Sequence, residues 1–443
     1  MSQSNLPRTG LPLGMPPLQL LVYGYFGILL VGFALLCLPF AEVSDVSVLD
    51  HFFIATSALS TTGLATVGVG QDYSTFGQVV VLLLIQIGGL GYMSLGSFVV
   101  LLRKRKLTGA HSELLAYDFS LPEGFKVTTF IRRMIVFTLC TELAGALLLA
   151  WIFHNNGEPA PLWNGVFHSI SAFCTAGFSL FVSGFEGYQA HFGLNLVISV
   201  LAILGALGFI VAADFASRFG RERRPLTFTS RIILRFTFAG IFFGMIILFL
   251  SDAGIAGLPT EVGLMTAFFQ SMTAFTTVGF NTMPIGDISA APLFVVILLM
   301  IVGASPSGTG GGMKSTTFTA LWAQLKATLA GESRVCYMNR VVPAHRIRAA
   351  VSNFFFYVLV VLTGIYALLL VQEQDPYTII FEAVSALGTV GLSTGLTGLL
   401  TPVGKLIVCA LMFLGRVGPL SAGLMLFGRD AAEGDAIEED LAI

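Results

Sequence analysis

Long apolar segments alternate with short polar ones along most of the chain. A helix needs about 20 residues to cross ~30 Å of hydrocarbon. Eight apolar segments approach or exceed that length, at residues 18–40, 78–102, 127–153, 193–217, 231–250, 291–320, 351–371 and 404–428. The sixth contains GASPSGTGGG at 303–312, and its glycines and proline oppose a continuous helix. The pattern therefore predicts eight membrane crossings, one of them interrupted.

One motif recurs four times in the connections on one side of these crossings. Each copy begins with phenylalanine, has Ser or Thr four residues later and ends on a glycine ten residues later. The four stretches are FIATSALSTTG, FHSISAFCTAG, FQSMTAFTTVG and FEAVSALGTVG, which begin at Phe53, Phe167, Phe269 and Phe381. A single such glycine is explained by a helix kink, but four in register favour one shared turn. The sequence thus predicts four units of helix, re-entrant half-helix, glycine turn and helix.

The fold class predicted is an all-α integral membrane protein with four same-orientation repeats around a pseudo-fourfold pore. Non-helical backbone at membrane depth is tolerated where protein buries it or where it lines water. Carbonyl oxygens of such backbone can replace the hydration shell of a cation. The candidate ion-binding residues are Ser60, Thr61, Thr62, Gly63, Cys174, Thr175, Ala176, Gly177, Thr276, Thr277, Val278, Gly279, Gly388, Thr389, Val390 and Gly391.

Composition supports a membrane location and excludes several other classes. Hydrophobic residues make up 55% of the 443 residues and charged residues only 11%, whereas soluble domains are about one-quarter charged. A net charge of -2 gives no basis for a nucleic-acid partner. The five cysteines form no CxxC pair, and the six histidines show no metal-ligand spacing. We therefore expect no disulfide, no transition metal and no cofactor in this chain.

Lysine and arginine fix the expected orientation. They cluster at 103–106, 126–133, 218–235 and 326–348, whereas the four motif-bearing segments at 41–77, 154–192, 251–290 and 372–403 contain none. Basic loops stay in the cytoplasm. Both termini are therefore expected there, in a plasma-membrane protein whose first 17 residues form a tail and not a signal peptide.

Arg416 lies 12 residues into the last apolar segment, about 18 Å deep at 1.5 Å per residue. An arginine at that depth is costly and nearly always faces protein or water. We therefore expect Arg416 to face protein or water inside the membrane.

Together these motifs resemble the KtrB branch of the Trk/Ktr/HKT superfamily of potassium transporters. The resemblance covers about residues 16–428 and rests on the four glycine turns, LIQIGGLGYM at 84–93, GASPSGTGGGMKSTT at 303–317 and MFLGRVGPLS at 412–421. It implies potassium uptake, with sodium dependence open, by a homodimer with one pore per subunit and a cytoplasmic ring of KtrA-type nucleotide-binding regulatory subunits. Glycine at position 63 favours potassium over sodium by the same resemblance.

The resemblance also implies a gate. The glycine-rich break would form an intramembrane loop that occludes the pore, and Arg416 would project into the conduction path. The gating residues implied are Gly303, Gly308, Gly310, Gly311, Gly312, Lys314 and Arg416.

The expected domains are a cytoplasmic tail, four pore repeats and an acidic cytoplasmic tail. Their bounds are 1–17, 18–105, 126–220, 229–330, 345–428 and 429–443. Alternatives are an alternating-access Na⁺/K⁺ symporter and a sodium-permeable cation channel, although carriers often have inverted repeats. An enzyme would need a catalytic set or a phosphate loop, and Met313 interrupts the resemblance of GTGGGMKST at 308–316 to such a loop.

Overall fold

The computed structural model describes residues 17–91, 127–219 and 225–418. The expected acidic tail at 429–443, nearly all of the expected amino-terminal tail and the basic cluster at 103–106 lie outside these ranges. The same is true of residues 92–102, the second half of the second predicted crossing.

The described residues are helical apart from turns and one short β-hairpin, Cys336–Tyr337 paired with Arg340–Val341. Fifteen helices, numbered in chain order, are α1 Pro17–Leu36, α2 Val48–Leu59, α3 Val69–Asp72, α4 Thr75–Leu90, α5 Val127–Asn155, α6 Pro161–Phe173, α7 Phe192–Phe219, α8 Phe228–Ser251, α9 Ala253–Ala256, α10 Thr260–Thr276, α11 Ala290–Ile301, α12 Ser315–Leu329, α13 Ala344–Leu369, α14 Pro376–Leu387 and α15 Pro402–Val417. Short 3₁₀ turns lie at Glu186–Tyr188, Ile285–Asp287 and Thr397–Leu399.

Four of the described helices are long and apolar enough to cross a membrane. They lie within α5, α7, α8 and α13, at Ile131–Asn155, Phe192–Arg218, Phe228–Ser251 and Ala344–Leu369. Their positions agree with four of the eight predicted crossings. The predicted break in the sixth crossing is present, since α11 ends at Ile301 and α12 begins at Ser315.

Helix α7 differs from the continuous crossing that was predicted at 193–217. Gly208 lies inside it with φ 81° and ψ 166°, so the helix is kinked there. The N–H groups that follow are satisfied from elsewhere: Phe209 N–H donates to the Ser307 carbonyl at 3.1 Å, and Ile210 N–H to Ser307 Oγ at 3.3 Å. The interruption in the sixth predicted crossing therefore supplies the hydrogen-bond acceptors for the backbone at the kink in α7.

Four shorter helices, α2, α6, α10 and α14, lead into the glycine turns. The phenylalanine that opens each motif is fully buried, at Phe53, Phe167, Phe269 and Phe381. Each phenylalanine anchors its helix in the core.

The helices are arranged in a closed cycle. The helix after each glycine turn packs against the next short helix: α4 against α6, α7 against α10, α11 against α14, and α15 back against α2. An ion pair reinforces the last of these contacts, because Lys405 Nζ on α15 lies 2.5 Å from Asp50 Oδ1 on α2. The cycle sets the four glycine turns around one centre.

Asp252 joins two helix ends on the side that carries the glycine-turn connections. Its Oδ1 accepts from Ile255 N–H at 3.0 Å, and its Oδ2 accepts from the backbone N–H and the hydroxyl of Ser289, both at 3.0 Å. Burial raises the pKa of this carboxyl, but the hydrogen bonds outweigh burial and hold the pKa below its ordinary value. The stabilisation is therefore present at neutral pH and is lost as pH falls through that lowered pKa.

We expect Asp252→Asn to lower the free energy of unfolding by about 2 kcal/mol, because it weakens hydrogen bonds made to a charged acceptor. The measurement is thermal unfolding of the purified protein in detergent. Asp287→Asn is the control, since Asp287 is exposed on a nearby turn. Equal melting temperatures for the two variants would contradict this role.

Candidate functional site

The four glycine turns share one backbone conformation. The glycines have positive φ, at Gly63 (96°), Gly177 (66°), Gly279 (82°) and Gly391 (91°). The threonines two residues earlier also have positive φ, at Thr61 (51°), Thr175 (51°), Thr277 (57°) and Thr389 (47°). Such values are true outliers for a β-branched residue and persist only where surrounding contacts enforce them. The turns are therefore held by their surroundings.

A hydrogen bond common to all four turns supplies part of that restraint. The residue before each glycine donates its N–H to the carbonyl of the Ser or Thr six residues before the glycine. The pairs are Thr62 with Ser57 (2.9 Å), Ala176 with Ser171 (2.8 Å), Val278 with Thr273 (3.1 Å) and Val390 with Ser385 (2.9 Å). In two turns the serine hydroxyl also accepts from the glycine N–H, at 3.1 Å for both Ser57 and Ser385.

The turns touch one another in cyclic order. A Cβ added to a turn glycine would lie 2.0 to 2.4 Å from the carbonyl oxygen that precedes the glycine of the next turn. The pairs are Gly63 with Ala176, Gly177 with Val278, Gly279 with Val390, and Gly391 with Thr62. No side chain fits at these four positions, so each must be glycine.

This contact places four carbonyl oxygens in one ring, those of Thr62, Ala176, Val278 and Val390. None of them accepts a hydrogen bond from another described residue. The helices α2, α6, α10 and α14 end at the ring, and a helix carboxyl end carries roughly half a negative charge. The ring combines free carbonyl oxygens with negative potential, the chemistry that suits a dehydrated cation.

Small residues let the surrounding helices approach the turns closely. A Cβ at Gly88, Gly205 or Gly415 would lie 1.9, 1.9 or 2.1 Å from the carbonyl oxygen at the end of a short helix, that of Leu59, Phe173 or Leu387 respectively. Gly88 belongs to the GGLG stretch at 88–91. Close packing of these helices therefore depends on glycine, as small-residue contacts in membranes do generally.

Buried polar side chains of the short helices form hydrogen bonds with the segments that follow the glycine turns. Glu382 accepts hydrogen bonds from Thr397 Oγ1 and, at 2.9 Å, from Ser393 Oγ. At the matching places His168 Nε2 lies 3.0 Å from Ser179 Oγ, and Gln270 Nε2 donates to Thr282 Oγ1 at 3.4 Å. Three of the four turns are thus braced by a buried polar residue nine positions before the turn glycine.

The segment 302–314, which we call the intramembrane loop, lies against the glycine turns. Thr309 Oγ1 donates to the Phe173 carbonyl at 3.0 Å and accepts from Thr175 Oγ1 at 3.2 Å. Gly311 N–H donates to Thr277 Oγ1 at 2.9 Å. The loop glycines have no room for side chains, since a Cβ at Gly303 or Gly311 would lie 2.3 or 1.9 Å from a neighbouring atom.

Two basic side chains hold this loop. Arg416 lies in the last turn of α15, half-buried, and donates to the carbonyls of Thr309 in the loop and Gly88 on α4. Lys314 Nζ donates to the Gly310 carbonyl at 2.7 Å. The structure thus brings the candidate gating residues Gly310, Gly311, Lys314 and Arg416 together beside the glycine turns.

Several contacts of this region were not apparent in the sequence. Positive φ at the threonines has no local signal, because threonine normally avoids it. Glu142 on α5 accepts from Gln86 Nε2 at 3.1 Å and from the Cys174 thiol at 3.7 Å, a cluster that joins three separate parts of the chain. Among the described residues there is no group of three potential metal ligands.

The architecture and the carbonyl ring define a class. The family model described as "TrkH: Cation transport protein" matches residues 31–429. The chain therefore belongs to the TrkH family of cation transport proteins, and it is a transport protein, not an enzyme.

Among individual proteins, the chain is similar to potassium uptake proteins. It is 34% identical to the Ktr system potassium uptake protein B of Bacillus subtilis, over 91% of this chain and 92% of that protein. It is 33% identical to the potassium/sodium uptake protein NtpJ of Enterococcus hirae, over 91% of each. The crystal structure of the potassium transporter TrkH from Vibrio parahaemolyticus has the same fold, with TM-score 0.75 at 18% identity, covering 96% of this chain and 86% of that one.

We expect replacement of Glu382 to lower cation flux in graded fashion. Glu382→Gln keeps one acceptor oxygen and should lower flux moderately. Glu382→Leu removes both hydrogen bonds and should lower it further, since each buried partner left unpaired costs about 1–3 kcal/mol. The measurement is rubidium flux in cells, normalised to the amount of protein in the membrane. Glu373→Gln and Glu373→Leu, at an exposed position, are the controls. Equal flux in all four variants would show that the hydrogen bonds of Glu382 do not support the glycine turn.

Proposed function

We propose that this protein takes up potassium across the plasma membrane through a pore formed by the four glycine turns. The observation that carries the proposal is the ring of four carbonyl oxygens of Thr62, Ala176, Val278 and Val390, each in contact with the turn glycine of a neighbouring unit. The names of the similar uptake proteins of Bacillus subtilis and Enterococcus hirae support potassium as the ion. Four repeats of one orientation, with both termini cytoplasmic, complete the proposal.

The ring explains how a selective pore could work in this fold. A cation that enters the ring exchanges water for carbonyl oxygens. Because a single glycine stands at each turn, few ordered carbonyl layers are available, so discrimination against sodium is modest. Similarity to the potassium/sodium uptake protein of Enterococcus hirae favours passage or coupling of sodium as the second candidate.

In the proposed mechanism the intramembrane loop is the gate, and Arg416 holds the loop in its closed position. The loop hydrogen-bonds two glycine turns through Thr309 and Gly311, and Arg416 holds it through the Thr309 carbonyl. Opening requires these bonds to break. A KtrA-type cytoplasmic ring that binds nucleotides, acting on a homodimer of this chain, is the proposed source of the force.

We expect Gly391→Asp to lower rubidium uptake by more than about tenfold while the protein still reaches the membrane. A Cβ there would lie 2.0 Å from the Thr62 carbonyl oxygen. Positive φ at a residue other than glycine adds strain of about 1–3 kcal/mol. The measurement is uptake by a potassium-uptake-deficient bacterium.

Gly398→Asp is the matched control, since a Cβ at Gly398 meets no atom within 4 Å. Normal uptake kinetics in the Gly391→Asp variant would reject the assignment of this turn to the pore.

We expect Arg416→Met to raise rubidium flux in the absence of regulatory subunits by roughly tenfold, because it removes charge-assisted hydrogen bonds that hold the loop closed. The measurement is rubidium flux into liposomes that contain the purified protein. Arg346→Met, at an exposed residue of α13, should leave flux unchanged. Identical flux in the two variants would show that Arg416 does not hold the gate.

A further inference from the structure

One face of helix α8 changes from basic to aromatic along its length. The side chains on this face recur at intervals of three or four residues, which is the helical repeat, and they are Phe228, Arg231, Arg235, Phe238 and Phe242. Phe238 is 52% exposed and Phe242 is 59% exposed. Because α8 is long and apolar enough to cross a membrane, the two phenylalanines face lipid chains and the two arginines lie toward the membrane surface.

The β-hairpin lies beside the basic end of this face. The Arg340 guanidinium of the hairpin is 5.6 Å from the centre of the Phe228 ring, and Arg235 Nη1 donates to Met338 Sδ at 3.6 Å. Met338 belongs to the hairpin turn, so the turn lies level with Arg235. Arg231 lies between Phe228 and Arg235 on the same face of the helix. The guanidinium groups of Arg231, Arg235 and Arg340 thus lie along one groove between α8 and the hairpin, which we call the arginine groove.

The three arginines are poorly satisfied by the protein itself. Among the described residues, none of them forms an ion pair with an acid. Arg231 Nε is buried and has no hydrogen-bond partner in that part of the chain, and the sulfur that Arg235 contacts is only a weak acceptor. Arg231 and Arg235 are also four residues apart on a helix, where like charges destabilise each other. A bound anion would relieve this repulsion and supply the missing acceptors.

Two acids belong to the adjoining segments, and neither pairs with the arginine groove. Asp214 is buried, and its Oδ2 accepts hydrogen bonds from the Thr227 N–H, the Thr227 hydroxyl and the Ser230 hydroxyl. Glu332 is exposed between α12 and the hairpin and forms no ion pair within the described ranges. The groove therefore keeps a net positive charge.

We propose that the arginine groove binds the phosphate of an anionic phospholipid, whose acyl chains lie along Phe238 and Phe242. Guanidinium groups bind phosphate through pairs of parallel hydrogen bonds, and basic clusters at the ends of membrane-crossing helices recognise anionic lipids. A lipid fits better than a soluble protein or free phosphate, because the same face of α8 continues from charged groups into exposed aromatic rings. Such a lipid site does not depend on which ion the protein transports.

The test is binding of phosphatidylglycerol to the purified full-length protein in detergent, measured by native mass spectrometry, with phosphatidylcholine as the lipid without net charge. We expect phosphatidylglycerol to bind at least about tenfold more tightly, since each basic residue near the membrane surface contributes roughly a fivefold preference for anionic lipid. Replacing Arg231 and Arg235 together by glutamine should remove that preference. The matched control is the double variant Arg346→Gln and Arg348→Gln, which loses the same charge at exposed positions of α13 and should bind like the unaltered protein.

Equal phosphatidylglycerol affinity in the two double variants overturns the proposal. Should Arg231→Gln fail to fold, Arg235→Gln combined with Arg340→Gln alters two exposed residues and carries the same expectation. Inorganic phosphate in large excess should leave lipid binding unchanged, and displacement of the lipid would show a site for free phosphate instead. The mass spectrum also counts copies of the chain. A variant that loses a dimer but keeps its lipid affinity would assign the groove to contact between copies and reject the lipid site.

Discussion

The close contact between each turn glycine and a neighbouring carbonyl oxygen is the constraint on which the rest of the structure depends. Four such contacts close into a ring only if the last unit returns to the first, as Gly391 does against the Thr62 carbonyl. The packing of α15 on α2 and the ion pair of Lys405 with Asp50 serve the same closure. A single side chain at one turn would separate neighbouring backbones and open the ring.

Irregular backbone at membrane depth requires partners for its polar groups, and this protein supplies them from other irregular segments. The two backbone N–H groups that follow the kink at Gly208 donate hydrogen bonds to Ser307 of the intramembrane loop. The loop in turn is held by Thr175, Thr277 and Arg416. Because each irregular segment completes another, movement of the loop alters hydrogen bonding at the glycine turns and in α7 together. This coupling makes the loop suitable as a gate in the proposed mechanism.

The sequence was informative wherever a physical requirement restricts a position to one or two residue types. The sequence pattern revealed the four turn glycines, the four buried phenylalanines and the glycine-rich break. Other residue types at the turn glycines are excluded by close contacts and by the backbone conformation. The membrane class followed from composition, and family membership confirms it. The motif also located Ser57 and Ser385, whose hydroxyls bind the turn glycines.

Other features depend on contacts between distant parts of the chain and leave no local pattern. The left-handed threonines are imposed by their surroundings against their own preference. The acidic residues at the starts of the short helices have no common position either, because Asp50 and Glu261 lie in the first helical turn and Asp375 is an N-cap. The kink at Gly208 was missed, since a lone glycine in an apolar run is tolerated by a helix.

In the proposed pore the four carbonyl oxygens surround one axis on which a dehydrated cation binds. Crystals soaked in thallium, a potassium mimic with strong anomalous scattering, test it most directly. We expect an anomalous peak on the axis, coordinated by the carbonyl oxygens of Thr62, Ala176, Val278 and Val390. Absence of thallium from the ring, with occupied sites elsewhere in the membrane region, would contradict it.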